Sequence, residues 1–201
     1  MIKLNNLNLK NITEALLDSF LEAGKIAKEI NHRGLKITIK TDKTPVTDGD
    51  LAVDRLLKNK IANLTPNLPI ISEETVSLEI KNNNKTFWLI DPIDGTKEYI
   101  KKGDEYTLNA ALITNLKPAL GIVYAPEKNR LFFSYGKGHA YEICDGKKVT
   151  LNCKKINTKE IIALINSDKT PREIIDMHKK YKVSQTIKMS SSFKFCVLAA
   201  G

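Results

Sequence analysis

Phe87-Trp88-Leu89-Ile90-Asp91-Pro92-Ile93-Asp94-Gly95-Thr96 runs from four apolar residues into two carboxylates set three positions apart. The apolar run predicts a buried strand that ends in the two acids. Pro92 fixes its own φ and removes a backbone donor. Gly95 lets the chain come close to a ligand. Two carboxylates folded back on one turn repel each other, and a divalent cation between them removes that cost by taking their oxygens as hard ligands. The amides of Gly95 and Thr96 are then placed to face a phosphate. Asp-Pro and Asp-Gly are also ordinary turn dipeptides, so the hexamer gains meaning from what surrounds it.

Two upstream segments repeat the theme. Ile70-Ile71-Ser72-Glu73-Glu74 is another apolar strand that runs into paired acids. Thr44-Pro45-Val46-Thr47-Asp48-Gly49-Asp50 leads into a helical pattern. Three segments that each end in carboxylates predict one acidic cluster. Glu73, Asp91 and Asp94 are the expected metal ligands, and oxygen-only ligation favours Mg²⁺ over zinc. His32, His139 and His178 lie outside the acidic motifs.

Those three segments, in that order, resemble the inositol monophosphatase-like superfamily of Mg²⁺-dependent phosphomonoesterases. Lys97-Glu98-Tyr99 after the Asp-Gly-Thr turn looks like the CysQ branch, the 3′(2′),5′-bisphosphate nucleotidases. Residues 40–47, 107–113, 121–126 and 191–196 continue the likeness over nearly the whole chain. The resemblance implies an α+β, layered α/β/α/β sugar-phosphatase fold. It also implies hydrolysis of adenosine 3′,5′-bisphosphate to AMP and phosphate, linked to sulfate assimilation, with two or three Mg²⁺ ions. By similarity the Ile93 carbonyl is a further metal ligand. Asp50 pairs with Thr96 as a relay and Thr47 supports Asp50. Glu73 orients or deprotonates the attacking water, and Glu74 acts just outside the first ligands. Gly95, Thr96 and Lys97 are expected on the phosphate, and Ser191, Ser192 and Lys194 on the nucleoside. An inositol or sugar phosphate is the alternative substrate.

The sequence departs from the family pattern in a few places. A Trp-Asp-x-Ala-Ala-Gly motif does not occur, and the single Trp is Trp88. The resemblance therefore implies that the C-terminal part of the pattern is lacking, with the second α/β layer incomplete and a catalytically dead fragment as the other alternative. Smaller departures are Tyr99 where Phe is common, Gly49 where Ala is common and Ser190 where Gly is common.

The 201 residues carry a net charge of +9 and are 42% hydrophobic. The lysines are scattered, without a basic-aromatic platform, so no nucleic-acid polymer is expected as a partner. A positive field also attracts a small, highly anionic nucleotide. The N-terminal Met1-Ile2-Lys3-Leu4-Asn5-Asn6 is too polar for a signal peptide, and no apolar run is long enough to span a bilayer. Three cysteines without CxxC spacing suit a reducing compartment. The expected location is cytoplasmic, with peripheral attachment to the inner membrane left open; oligomeric state is not legible.

Periodicity predicts a helix over residues 9–30, a strand over 35–39 and a helix over 48–61 with Asp48 as N-cap. Strands follow over 108–113, 119–124, 130–134 and 140–143, forming an antiparallel sheet under the helices. From about residue 159 the pattern becomes strand (161–165), helix (171–181), strand (183–187) and a last helix opened by Ser191. We expect residues 1–150 to form a metal-binding α+β domain and residues 151–201 a partial α/β domain.

Overall fold

The computed structural model describes residues 6–75, 85–153, 160–166 and 170–201. The N-terminal stretch read against a signal peptide, Asn6 apart, and the start of the C-terminal pattern at residue 159 lie outside these residues. The fold is α+β, as the sequence predicts.

Its centre is a sheet of β3 (Ile70–Ser72), β4 (Thr86–Asp94), β5 (Thr107–Thr114), β6 (Lys117–Ala125), β7 (Arg130–Ser134), β8 (Ala140–Cys144) and β9 (Lys147–Thr150), paired in that order. The sequence predicts an antiparallel sheet. Every neighbouring pair is antiparallel except β3 and β4, which run parallel. The parallel pair brings the C-terminal ends of two strands, and hence their acids, to one edge.

The two long helices α1 (Asn6–Arg33) and α2 (Asp48–Leu64) cover one face of the sheet. Leu16, Phe20, Ala23 and Ala27 of α1 interlock with Val53, Leu57 and Ile61 of α2 and with Trp88, Ile90, Leu108 and Ile122 of the sheet. Each residue in this layer is at most 2% exposed. Burying such side chains contributes about 1.5–3 kcal/mol each. Trp88 Nε1 donates to Thr65 Oγ1 at 3.0 Å, so the ring is buried without an orphaned donor.

β1 (Ile37–Ile39) and β2 (Pro45–Thr47) form a separate hairpin. The alternation over residues 35–39 promised a half-buried strand. Ile37 and Ile39 are exposed because this hairpin does not join the central sheet.

Beyond the sheet, β10 (Ile161–Ile165), α4 (Arg172–Lys180) and β11 (Val183–Lys188) form a parallel strand–helix–strand unit. It leads into α5 (Phe193–Ala200). Phe193 and Cys196 of α5 pack on Ala125 and Phe132, building a second, smaller core. Among the described residues no helix is long and apolar enough to cross a membrane.

Candidate active site

β4 does not stop at Ile90. The strand continues through Asp94, with its register against β5 slipping between Asp91 and Asp94. The missing donor of Pro92 is tolerated there because a bulge already interrupts the ladder. The bulge turns both carboxylates towards the edge where β3 ends. Gly95 follows in the left-handed region, with φ of 91°, and caps the short helix α3 (Thr96–Ile100). A Cβ at Gly95 would come within 3.3 Å of the Ser191 Cβ in an already strained conformation. Glycine is therefore required by both backbone and space.

Asp91 has a buried Oδ1 with no hydrogen-bond partner. Burial raises its carboxyl to about 8, helped by the negative charges of Glu73 and Asp94. A buried, unpartnered carboxylate oxygen among like charges is a costly arrangement. It is the arrangement a hard divalent cation relieves. Asp94 Oδ2 accepts from the Ser192 backbone N–H at 2.5 Å. The residues present therefore fit a divalent cation. Among the described residues, however, no three His, Cys, Asp or Glu side chains stand ready as a metal cage. Glu73 is half exposed and sits 3.6 Å from Lys40 Nζ.

Lys40 was not singled out from the sequence. Its ammonium lies 2.9 Å from both oxygens of Glu74, whose side chain is only 4% exposed. Burial raises the Glu74 carboxyl, and the lysine opposes that rise. A lysine among the acids supplies positive charge beside Glu73 and Glu74. Lys40 belongs to the 40–47 stretch that continues the family likeness, but nothing in the sequence gives it a role, since it follows an exposed hairpin strand among many other lysines.

Ser72 and Asp54 are a second pair that sequence reasoning missed. Ser72 Oγ donates to the buried Asp54 Oδ1 at 2.5 Å and accepts from the Glu74 backbone N–H at 3.3 Å. This fixes where β3 delivers Glu73 and Glu74. Both residues lie within runs read as ordinary helix and strand, so only the tertiary contact reveals them.

Asp50 is 1% exposed. The N-cap of α2 is Thr47, one residue before the predicted Asp48. Thr47 Oγ1 accepts from the Gly49 and Asp50 amides, while Asp50 Oδ2 accepts from the Thr47 amide and hydroxyl at 2.8 and 2.5 Å. This is a capping box built with an aspartate. Asp48 instead accepts from Lys36 N and Arg33 Nη2. Burial raises the Asp50 carboxyl, and the hydrogen bonds from Thr47 counter the rise. Thr96 Oγ1 lies 3.4 Å from Asp50 Oδ1 and 3.2 Å from the Ile93 carbonyl, so one hydroxyl hydrogen has two acceptors.

Thr44, Glu73, Asp91, Ile93, Asp94, Gly95, Thr96 and Lys97 line a cleft of about 260 Å³. A larger apolar hollow of about 510 Å³ adjoins it, sharing Glu73 and Asp91 and reaching Leu89, Val123 and Ser192. Ser192 Oγ donates to Asn109 Oδ1 at 2.9 Å and lies 2.8 Å from Thr107 Oγ1. Ser191 Oγ accepts from the Phe193 amide at 3.2 Å. Lys194 Nζ is turned back onto the Ser191 carbonyl at 2.5 Å. The three C-terminal residues expected on the substrate are thus brought near the acids, but all are engaged within the protein.

The model of the inositol monophosphatase family matches residues 8–201. The chain belongs to that family. It is 34% identical to the 3′(2′),5′-bisphosphate nucleotidase CysQ of Buchnera aphidicola subsp. Acyrthosiphon pisum, over 96% of this chain and 75% of the relative. The CysQ structure from Bacteroides thetaiotaomicron superposes with a TM-score of 0.71 at 28% identity, covering 96% of this chain and 77% of that one. An IMPase/NADP phosphatase solved with NADP and Ca²⁺ shares the fold, with a TM-score of 0.72 at 19% identity over 91% of this chain and 68% of that one. As a member of the inositol monophosphatase family with CysQ relatives, the chain is a phosphatase, and its acidic edge has the donor set of a divalent-metal site.

Proposed function

We propose that the protein is a Mg²⁺-dependent phosphomonoesterase that converts adenosine 3′,5′-bisphosphate to AMP and phosphate. The observation that carries the chemistry is the buried, unpartnered Asp91 oxygen flanked by the charges of Glu73 and Asp94. The nucleotide preference rests on the likeness to CysQ relatives named as bisphosphate nucleotidases and on Lys97-Glu98-Tyr99.

Glu73, Asp91, Asp94 and the Ile93 carbonyl would hold two or three Mg²⁺ ions, with Glu74 just outside. Bound there, the ions neutralise phosphoryl oxygens and make a coordinated water acidic. Glu73, now 3.6 Å from Lys40 Nζ, would turn to the cation and orient the water. Of the two acceptors open to the Thr96 hydroxyl hydrogen, Asp50 is the one that completes the relay. The Thr96 oxygen accepts a hydrogen bond from the water; as the water oxygen bonds to phosphorus and the ester P–O bond breaks, the water's proton passes through the Thr96 hydroxyl to the Asp50 carboxylate, which Thr47 holds, and the departing ester oxygen takes a proton from solvent. The Gly95 and Thr96 amides and Lys97 steady the phosphoryl group in the 260 Å³ cleft. On this reading residues 1–150 hold the metal, while Ser191, Ser192 and Lys194 of residues 151–201 face the nucleoside.

Comparing kcat/KM for adenosine 3′,5′-bisphosphate and inositol 1-phosphate, with Mg²⁺ and after chelation, tests this. A clear preference for the bisphosphate that chelation abolishes is expected. Equal values, or a preference for the inositol ester, sink the nucleotide assignment. Hydrolysis that survives chelation sinks the metal assignment.

A further inference from the structure

Tyr99 is wholly buried, and its hydroxyl occupies the space where a side chain at residue 49 would stand. A Cβ built on Gly49 would lie 2.3 Å from Tyr99 Oη, 2.8 Å from Cε1 and 2.9 Å from Cζ. The tyrosine has no room to retreat. Its hydroxyl donates to the Ala27 carbonyl of α1 at 2.6 Å. Its own carbonyl accepts from Asn31 Nδ2 at 2.5 Å. Its ring meets the edge of Tyr106 with centroids 4.8 Å apart.

Each side of this contact carries one member of the hydroxyl–carboxylate pair. Tyr99 sits on α3 three residues after Thr96, which places the two on adjoining turns. Gly49 precedes Asp50 in the first turn of α2. The Thr96–Asp50 separation of 3.4 Å is already at the long end for an O–H···O bond. A few tenths of an ångström between α2 and α3 decide whether that hydrogen bond exists.

We infer that Tyr99 is a positioning residue for hydrolysis, wedged between α1 and Gly49 so that Thr96 and Asp50 are held within reach of each other. The inference rests on the relay reading given above. A residue larger than glycine at position 49 pushes α2 away from α3 and breaks the relay without touching a metal ligand.

The test is a double-mutant cycle of Gly49→Ala and Tyr99→Phe, assayed on adenosine 3′,5′-bisphosphate with saturating Mg²⁺. In Gly49→Ala, kcat falls at least about tenfold with KM nearly unchanged, in keeping with the cost of misplacing a reacting group. Tyr99→Phe removes the atom nearest the new methyl, so the double variant recovers part of the loss, and the two effects are far from multiplicative. Multiplicative losses, or wild-type kcat in Gly49→Ala, overturn the inference. If Gly49→Ala does not fold, Tyr99→Phe decides alone. It cuts the tether to Ala27, so kcat falls severalfold at constant KM; an unchanged kcat is fatal to the idea. If the wild type hydrolyses neither phosphate ester, the proposed function fails, and crystal structures of the wild type and the variants still test the wedge. A Thr96–Asp50 separation that is not longer in the variants overturns it.

Discussion

Residues 6–150 and residues 160–201 bury their apolar side chains to very different extents. In the first region α1 and α2 place whole stripes at zero exposure against the sheet. In the second, α4 buries no residue, and Ile174, Ile175 and Met177 are 37–52% exposed. Phe195 and Leu198 of α5 are also exposed, while Phe193 and Cys196 pack inward. The first region thus carries its own core, whereas the second is joined to it by a small apolar contact and a few polar ties. Those ties converge beside the acids: Ser190 N to Glu105, Ser192 N to Asp94, and Ser192 Oγ to Asn109 and Thr107. The acids therefore rest on the core of the first region, and the second region reaches them through these ties.

The largest effect should come from the core. Leu57→Ala is expected to cost about 2–5 kcal/mol of unfolding free energy, the usual range for truncating a fully buried leucine. Ile175→Ala on α4 should cost less than about 0.5 kcal/mol, as for exposed positions. Urea unfolding of both variants checks the contrast. Similar losses would mean that α4 is packed in solution and that the two regions do not differ as described.

Next comes the acidic edge itself. Asp91→Asn removes the anionic ligand proposed for the cation and should lower Mg²⁺-dependent kcat by about a hundredfold or more. The same variant has an opposite effect on the metal-free fold. Burial raises the carboxyls of Asp91, Asp50 and Glu74, Asp91 to about 8. The folded state thus holds their protons more tightly than the unfolded state does. The stability they contribute is complete below about pH 4, the ordinary carboxylate range, and is lost as pH rises through their folded values. In chelator, the melting temperature should fall between about pH 5 and pH 8, and Asp91→Asn should flatten part of that fall, because the window lies between the unfolded and folded values. Mg²⁺ should restore the wild type by binding the folded state. A melting profile with the same pH slope in both proteins would refute the account of Asp91.

Much of this division was legible in the sequence. The stripe through Leu16, Phe20, Ala23 and Ala27 predicts α1, and alternation and turn residues predict β5 to β8. β9 was missed because all four of its residues are exposed and carry no apolar alternation. The apolar run predicts a strand that ends in the two acids, and a bulge past Pro92 carries β4 on to Asp94. The gathering of Glu73, Asp91 and Asp94 at one edge follows from two short motifs. The contacts that set their positions do not follow from them. Lys40, Ser72 and Asp54 act across tens of residues and resemble any other surface lysine, strand serine or helix aspartate. Gly49 and Tyr99 read as two independent departures from the family pattern. In the fold they are one contact, since the space a glycine leaves is filled by the tyrosine hydroxyl.

The smallest effect, and the sharpest probe of the junction, is expected from Ser192→Ala. The substitution keeps the backbone N–H that Asp94 accepts and removes only the hydroxyl. Ser192 Oγ has one hydrogen, which goes to Asn109 Oδ1, so Thr107 donates to Ser192. Thr107 is fully buried, and the alanine leaves its hydroxyl without that acceptor. One stranded buried donor and one lost bond to Asn109 should together cost about 1–2 kcal/mol. The catalytic loss should be several-fold at most, well below that of Asp91→Asn, because no metal ligand changes. If the tie also positions Asp94, Ser192→Ala weakens Mg²⁺ binding measured by titration calorimetry in step with its effect on stability. A variant with wild-type stability and Mg²⁺ affinity would show that the Ser192 hydroxyl bonds to Asn109 and Thr107 are incidental to both fold and site, leaving the junction to Phe193, Cys196 and the backbone bonds to Asp94 and Glu105.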